Sequence, residues 1–562
     1  MFNRRWVTAW RLLRSKDFKG LIIRTVAFSR RLVRHSHLPV DYNKWRKDWV
    51  DLAEEEKLHI EKFFDSTPSS PSFTLLLSVD ISSNYALVFS TIKSIVSQIY
   101  PNWILFVTSE NSIEAELSNK IFELNESRIQ FTEETLPDLG EWIVEIEPGV
   151  LLHEAALSSV AACVIERPDV SLIYSDHDHL NDSGIYCDPH MKPDWNPDLF
   201  NAMNYIGPFA VIKNHLWTEE HYENNDQHDF LSRLTENLQE ENIFHLAMIL
   251  ASTRIFDDSS HLDLPVKRTR YSLPDPEPLV SILVPSRDQG RMLGKCLESI
   301  YEATDYQNYE IVLVDHESSE AKARKVIKKF GMKENFRVIS FSGSFNFSAM
   351  MNQAAEIANG EILVLLNNDT EVIERNWLRE LVSQVSRSRV GIVGALLLFS
   401  DGTIQHAGIH PGLDGLMGHG HKHLPSENSG YFNRLKAAHE VAAVTGACLT
   451  IEKSTWEDLN GLDEENLTVA YNDVDLCFKV REKGLKVIFT PFAKLFHHES
   501  VSRGLDQDIV QNERLKKELE VMNKRWGNII KTDPAYSPNL NFDGGSFTLS
   551  NNPSRIVALF KR

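Results

Sequence analysis

Short, uninterrupted apolar runs alternate along the chain with stretches of helical period, and they do so in two matching series. The run Phe73–Ser78 (FTLLLS) is followed by a helical stretch to Gln98 and then by YPNWILFV. The run beginning at Val280 (VSILVP) is followed by a helical stretch to Glu302 and then by YQNYEIVLV. Runs that are apolar at every residue, rather than at alternate ones, belong to strands buried on both faces of a parallel sheet. Further on, GEWIVEIEPGVLLHEAAL (140–157) parallels GEILVLLNNDTEVIERNWL (360–378). Strand alternating with helix predicts a doubly wound α/β fold, and two series predict two such domains. Two proline-rich breaks, Ser66–Pro71 and Leu273–Pro278, read as linkers because proline continues neither a helix nor a central strand. The expected division is a basic helical arm and linker at 1–70, a first domain at 71–272, a second at 279–530 and a tail at 531–562.

Ligands of doubly wound sheets bind at the carboxyl ends of the strands. In the second series Pro285-Ser286-Arg287 ends the first strand, Asp315 the second, and Asn367-Asn368-Asp369 a later one, so all three should meet on one edge.

Charge narrows the partners. The 562 residues carry a formal charge of −20, which argues against nucleic acid as the main partner. The first 50 residues oppose that trend, with 13 Lys/Arg against three Asp (about +10), leaving about −30 for the remainder. Within 1–34, Phe2, Trp6, Trp10 and Leu13 recur at helical spacing among Arg and Lys. Two readings stay open: a basic helix lying on an anionic membrane surface, or one docked on the acidic body. Five scattered cysteines without a C-x-x-C spacing fit a reduced, cytoplasmic compartment and neither a disulfide nor a zinc framework. The basic residues around Leu21–Phe28 break any signal-peptide core, and no stretch of about 18 apolar residues predicts a membrane span.

The segments VSILVPSRD, EIVLVDHES, GEILVLLNNDTEV, NDVDL (472–476) and FHHES (496–500) together resemble the family 2 glycosyltransferases of the GT-A fold, in the branch described as rhamnosyltransferase-like. The likeness runs in order through nearly all of 279–504. It implies two tandem GT-A-like (Rossmann-like) domains and an inverting transfer of a sugar from a dTDP- or UDP-sugar. The acceptor implied is a growing cell-surface polysaccharide or lipid-linked glycan, at the inner face of the plasma membrane; rhamnose is the sugar the branch suggests. Pro285, Arg287, Asp315, Asn367, Asn368 and Asp369 would bind the donor. The branch's Asp-x-Asp motif reads Asn367-Asn368-Asp369 here, so Asp369 is its one charged oxygen donor. With His497, 24 residues after Asp473, it would hold Mg²⁺ or Mn²⁺, ions that often take few protein ligands. Asp473, at the start of a helical stretch, would be the general base that deprotonates the acceptor hydroxyl; a plain helix cap is the alternative. Asn346, Gly446 and Asp475 would lie near the sugar or acceptor.

The histidines His406, His410, His419, His421 and His423 stand among glycines at spacing too irregular for zinc, and a mobile, glycine-hinged substrate loop is expected. In the first series Ser109 takes the place of Asp315, Gly149 that of Asp369 and Glu147 that of Asn367; less securely, Gln227 takes that of Asp473 and Ser252 that of His497. A carboxamide takes no proton near neutral pH, so the first domain is expected to be catalytically degenerate. Asp176 and Asp178 imitate an Asp-x-Asp but follow a different strand, which favours a structural role over a second donor site. The rival reading of the whole chain is a non-catalytic glycan- or nucleotide-binding scaffold.

Overall fold

The computed structural model describes residues 41–560 except 68–69, 80–82, 109–114, 133–138, 218–226, 255–264, 414–416, 499–508 and 543–545. The basic segment 1–34 and Ser109 therefore lie outside the described residues. The first sheet is built from β1 (Phe73–Ser78), β2 (Trp103–Thr108), β3 (Ile129–Thr132), β4 (Trp142–Ile146), β5 (Val150–Leu152), β6 (Leu172–Leu180), β7 (Tyr186–His190), β8 (Ala210–Lys213) and β9 (Ile243–Arg254). The second half contributes β10 (Val280–Ser286), β11 (Tyr309–Asp315), β12 (Phe336–Ser340), β13 (Ile362–Leu366), β14 (Thr370–Val372), β15 (Val390–Leu398), β16 (Ile404–His406), β17 (Ile409–Pro411), β18 (Met417–His419), β19 (His439–Glu440), β20 (Cys448–Glu452) and β21 (Lys486–His497).

The first sheet runs β3-β2-β1-β4-β8-β6-β9-β5 and the second β12-β11-β10-β13-β20-β15-β21-β14, one topology used twice. Register makes the match residue-specific. Phe73 pairs with Trp103 and Trp142, as Val280 pairs with Tyr309 and Ile362. After β4 the Val150 N–H donates to the Glu147 carbonyl, and after β13 the Thr370 N–H donates to the Asn367 carbonyl. Glu147 and Gly149 thus occupy the places of Asn367 and Asp369. One expectation shifts: Val150 pairs with Thr253 as Thr370 pairs with His497, so Thr253 and not Ser252 stands where His497 does. Gln227 opens the helix Gln227–Glu236, the counterpart of Asn472–Glu482.

The continuous apolar runs are explained by cores on both sheet faces. Along β10, Leu283 joins one core with Val312 and Val314, while Val280, Ile282 and Val284 join the opposite core with Ile311 and Leu313. Burying each such side chain contributes about 1.5–3 kcal/mol. The loop after β10 is clamped onto the loop after β11: Asp288 Oδ1 accepts from Ser319 N (2.6 Å) and Glu320 N (2.7 Å), and Gly290 N donates to Glu320 Oε2 (2.8 Å). The Glu320 and Ser319 N–H groups hold the Asp288 carboxyl below its usual pKa. Gly290 opens the helix Gly290–Glu302, and a Cβ there would sit 2.4 Å from Ala323 N. Gly290→Ala should therefore destabilise the second domain by about 1–3 kcal/mol, the usual cost of overpacking, read as a lower urea midpoint at unchanged slope.

The two halves are joined by polar contacts. Asn196 exchanges hydrogen bonds with the Glu440 backbone (2.9 and 3.2 Å), and Arg387 pairs with Asp198 at 2.6 Å. Residues 531–560 do not trail away as a separate tail. Asp194 N donates to Pro534 O (2.8 Å), Asn539 Nδ2 to the buried Asp176 carboxylate (3.1 Å), and Phe560 packs on Phe63. From the other terminus, Arg46 enters the first domain to meet Asp178 at 2.9 Å. No helix among the described residues is long and apolar enough to cross a membrane.

Candidate active site

The strand ends of the second sheet enclose a cleft of about 420 Å³. Its walls include Pro285, Ser286, Arg287, Asn367, Asn368 and Asp369 from the strand ends, Phe345, Phe347 and Met350 from the segment opening the helix Phe347–Ile357, and Arg514. Asn368 Nδ2 donates to Ser286 Oγ (3.1 Å), which ties the ends of β10 and β13. Asp315 ends β11 beside Ser286 in the sheet register, half-buried, its Oδ1 3.3 Å from Ser318 N. The adjacent His316 is buried, bonded to Gly343 O at 2.9 Å and stacked against Phe345, which is 44 % exposed and offers a flat apolar face at the rim.

Antiparallel pairing of β14 with β21 places His497 against Asp369. The His497 Nε2 lies 3.2 Å from Asp369 Oδ1 and 3.3 Å from Asn367 Nδ2. Gln405, at the centre of β16, fixes that ring. Its Nε2 donates to the His497 carbonyl (3.4 Å), which turns its Oε1 toward His497 Nδ1 at 2.7 Å. Nδ1 therefore faces an acceptor and Nε2 faces the carboxylate. An imidazole nitrogen and a carboxylate oxygen this close could both ligate one divalent cation when substrate oxygens complete the shell. Among the described residues no cluster of three or more His, Cys, Asp or Glu could hold a metal by itself. His498 points elsewhere, to Ser400 Oγ (2.6 Å) and Glu371 Oε2 (3.0 Å).

Asp473 sits in the first turn of the helix Asn472–Glu482, half-buried. Its Oδ2 accepts from Gly446 N (2.8 Å), and its Oδ1 from Val474 N (2.9 Å). The next residue, Ala447, accepts from Asn367 N (3.1 Å). The peptide 446–447 therefore links the end of β13 to Asp473 and brings both onto one edge of the sheet. A Gly446 Cβ would lie 3.4 Å from the Asp473 Cβ, so glycine leaves the space beside the carboxylate open.

Two sequence expectations are changed, those on Asp475 and on the histidine-rich segment, and Asn346, between the cleft residues Phe345 and Phe347, gains a structural role. Asp475 is fully buried on the far side of its helix, bonded to Arg525 Nη1 (3.0 Å) and Trp526 Nε1 (2.9 Å), because two residues of helix turn the side chain away from the Asp473 face. Asn346 caps the helix Phe347–Ile357 through Ala349 N (2.9 Å) and donates to Glu464 O (2.8 Å). Outside 414–416, the histidine-rich segment is packed onto the body of the protein. His410 meets Asp533 (2.8 Å), His421 and Tyr431 stack on Phe547, and the Tyr431 hydroxyl accepts from Met191 N (2.8 Å). Burial holds His406 and His421 well below the usual imidazole pKa and His419 at about 3, so these rings are neutral and serve as packing and hydrogen-bonding groups. Asp176 and Asp178 lie in the interior of β6, engaged by His245 (2.8 Å) and by Arg46 and Tyr42 (2.9 and 2.6 Å). Sequence reasoning missed Gln405 and Arg514; neither belongs to a motif or a periodic pattern.

The second domain is thus a doubly wound unit whose strand-end cleft carries Arg287 and Arg514 beside Asp288 and Asp369. Residues 281–432, within the second domain, match the family model described as "Glycosyl transferase family 2". Over 522 residues the chain is 36% identical to "Uncharacterized protein y4gI" of Sinorhizobium fredii, covering 83% of this chain and 57% of that protein. It is 30% identical over 471 residues to "O-antigen biosynthesis protein RfbC" of Myxococcus xanthus, covering 75% of this chain and 37% of that one. The chain thus spans roughly half the length of these relatives. It is also 22% identical over 240 residues to "N-acetylglucosaminyl-diphospho-decaprenol L-rhamnosyltransferase" of Mycobacterium tuberculosis, covering 39% of this chain and 75% of that protein.

Proposed function

We propose that the chain is an inverting glycosyltransferase that transfers a sugar from a dTDP- or UDP-sugar to a glycan or lipid-linked glycan acceptor of cell-surface polysaccharide synthesis. The observation that carries this is the convergence of Asp369, His497 and Asp473 on one strand-end edge, the first two 3.2 Å apart and the third joined to β13 through 446–447. The similarity to an O-antigen biosynthesis protein and to an L-rhamnosyltransferase supports a deoxysugar such as rhamnose.

In this reading the nucleotide lies along Pro285–Arg287 and Asp315. Asp369 and His497 would hold Mg²⁺ or Mn²⁺, which supplies charge neutralisation to the leaving diphosphate. Asp473 takes the proton of the acceptor hydroxyl as its oxygen attacks the anomeric carbon from the face opposite the diphosphate, and the configuration inverts. The first domain, with Gly149 and Glu147 at the corresponding strand end, acts as a partner surface and not as a second transferase.

The test is donor hydrolysis and transfer with dTDP-, UDP- and GDP-sugars, with and without Mn²⁺ or Mg²⁺. Turnover of one donor that rises with metal is expected. His497→Ala should lose the metal response, and Gln405→Ala should weaken metal affinity or activity by about 10–100-fold, as removal of an orienting partner does. Absence of both turnover and donor binding across the panel would sink the reading in favour of a scaffold.

A further inference from the structure

Arg514 reaches the donor cleft from outside the strand ends, on the helix Ile509–Trp526, where it shares the wall with Arg287, Asn368 and Asp369. Among the described residues its buried Nε makes no hydrogen bond and faces Glu518 Oε2 as an ion pair. The carboxylate next to it, Glu518, is 3.5 Å away and already committed. Glu518 accepts from Thr468 Oγ1 (2.9 Å), Val469 N (3.0 Å) and Ala470 N (3.3 Å), the segment that leads into the helix bearing Asp473. The far end of the Arg514 helix is fixed by Arg525 and Trp526 on Asp475. The helix is thus anchored at two points along its length, and Arg514, with its Nε turned to Glu518, presents its partly exposed guanidinium to the cleft.

The opposing wall explains what such a cation would serve. With Asn367 and Asn368 neutral, Asp369 is the one carboxylate at the end of β13, so a cation held there has fewer anionic protein ligands than a pair of carboxylates would give. A guanidinium presents a planar fork that matches phosphate oxygens and stays charged at any working pH.

We propose that Arg514 is a diphosphate-binding residue of this chain, carried to the donor by the C-terminal helix and supplementing the reduced Asn367-Asn368-Asp369 site. The assignment rests on the donor reading above. Its chemistry is that of a nucleoside diphosphate, and the nucleoside itself is read elsewhere in the cleft.

The experiment is calorimetric binding of UDP and dTDP, against uridine and thymidine as phosphate-free probes, to the full chain and to Arg514→Ala and Arg514→Lys, each with and without Mg²⁺. Arg514→Ala should weaken the diphosphates about tenfold or more, the scale of a charged hydrogen bond, and leave the nucleosides unchanged. Arg514→Lys should recover part of the loss, since it restores the charge but not the fork. Equal weakening of nucleoside and diphosphate would mean that Arg514 only supports the fold of the cleft, and no change for either would remove it from the site; each result overturns the assignment. Failure of the wild-type chain to bind any of the four probes would instead bring down the donor reading itself, and this assignment with it.

Discussion

Asp473→Asn is expected to lower sugar transfer by about 10²–10⁴-fold, the usual share of a positioned general base, while donor binding stays near wild type. The substitution is nearly isosteric, and the carboxamide oxygen can still accept from Gly446 N, so the 446–447 link to the end of β13 should persist. What is lost is the capacity to take a proton, because a carboxamide stays unprotonated near neutral pH. The N-cap of this helix is Tyr471 and not Asp473, so the structural role left to Asp473 is its acceptance from Gly446 N, which asparagine keeps. The two roles therefore separate: a purely structural role predicts little change, a base predicts collapse of turnover at intact affinity. Calorimetry of donor binding beside a transfer assay reads both. Near-wild-type turnover would take Asp473 out of the chemistry, and joint loss of binding and turnover would point to a disturbed cleft.

Much of this arrangement is legible in the sequence because it is local. The runs FTLLLS and VSILVP are apolar at every position, and the structure divides their residues between cores on opposite sheet faces, which is what such runs require. The strand-end residues follow from the fold rule, and Glu147 and Gly149 fall opposite Asn367 and Asp369 because the turn after each strand closes with the same hydrogen bond. What stayed hidden depends on distant chain. His410, His421 and Tyr431 look like members of a hinged loop until Asp533 and Phe547, more than 100 residues later, are packed against them. Thr253 and not Ser252 matches His497 because β9 and β21 each carry register shifts, against β6 and β15, and sequence spacing does not reveal a bulge. Arg514 has no motif at all; its place follows from Glu518 gripping 468–470, a contact that no periodicity encodes.

The largest stability effect is expected from Asp178, a residue of the first domain. Its carboxylate is fully buried and receives Arg46 Nε (2.9 Å), the Tyr42 hydroxyl (2.6 Å) and the Ser252 hydroxyl (2.5 Å). Burial first, and then the Asp178 charge, pushes the Tyr42 hydroxyl well above its usual pKa, so it stays a donor to that carboxylate. Arg46 is itself nearly buried, stacked with its guanidinium carbon 3.7 Å from the centre of the Tyr186 ring. Asp178→Ala would leave that guanidinium with Asp51, half-exposed at the surface, as its remaining carboxylate partner. Removing one member of a buried ion pair costs about 3–5 kcal/mol, most of it the burden of the charge left behind. The expected result is a first domain that unfolds at markedly lower urea, while the donor affinity of the folded fraction is kept. Arg46→Met in the same background should recover part of the loss, since an apolar residue of similar length removes the stranded charge. The comparison also decides the one alternative that Asp176 and Asp178 raise. A second donor site would show the reverse pattern, with stability retained and nucleotide stoichiometry halved. The three donors already spent on Asp178, and the loss of the strand-end carboxylate at Gly149, favour the first pattern: in this half the polar groups hold an arm and a tail in place, and the chemistry is left to the other.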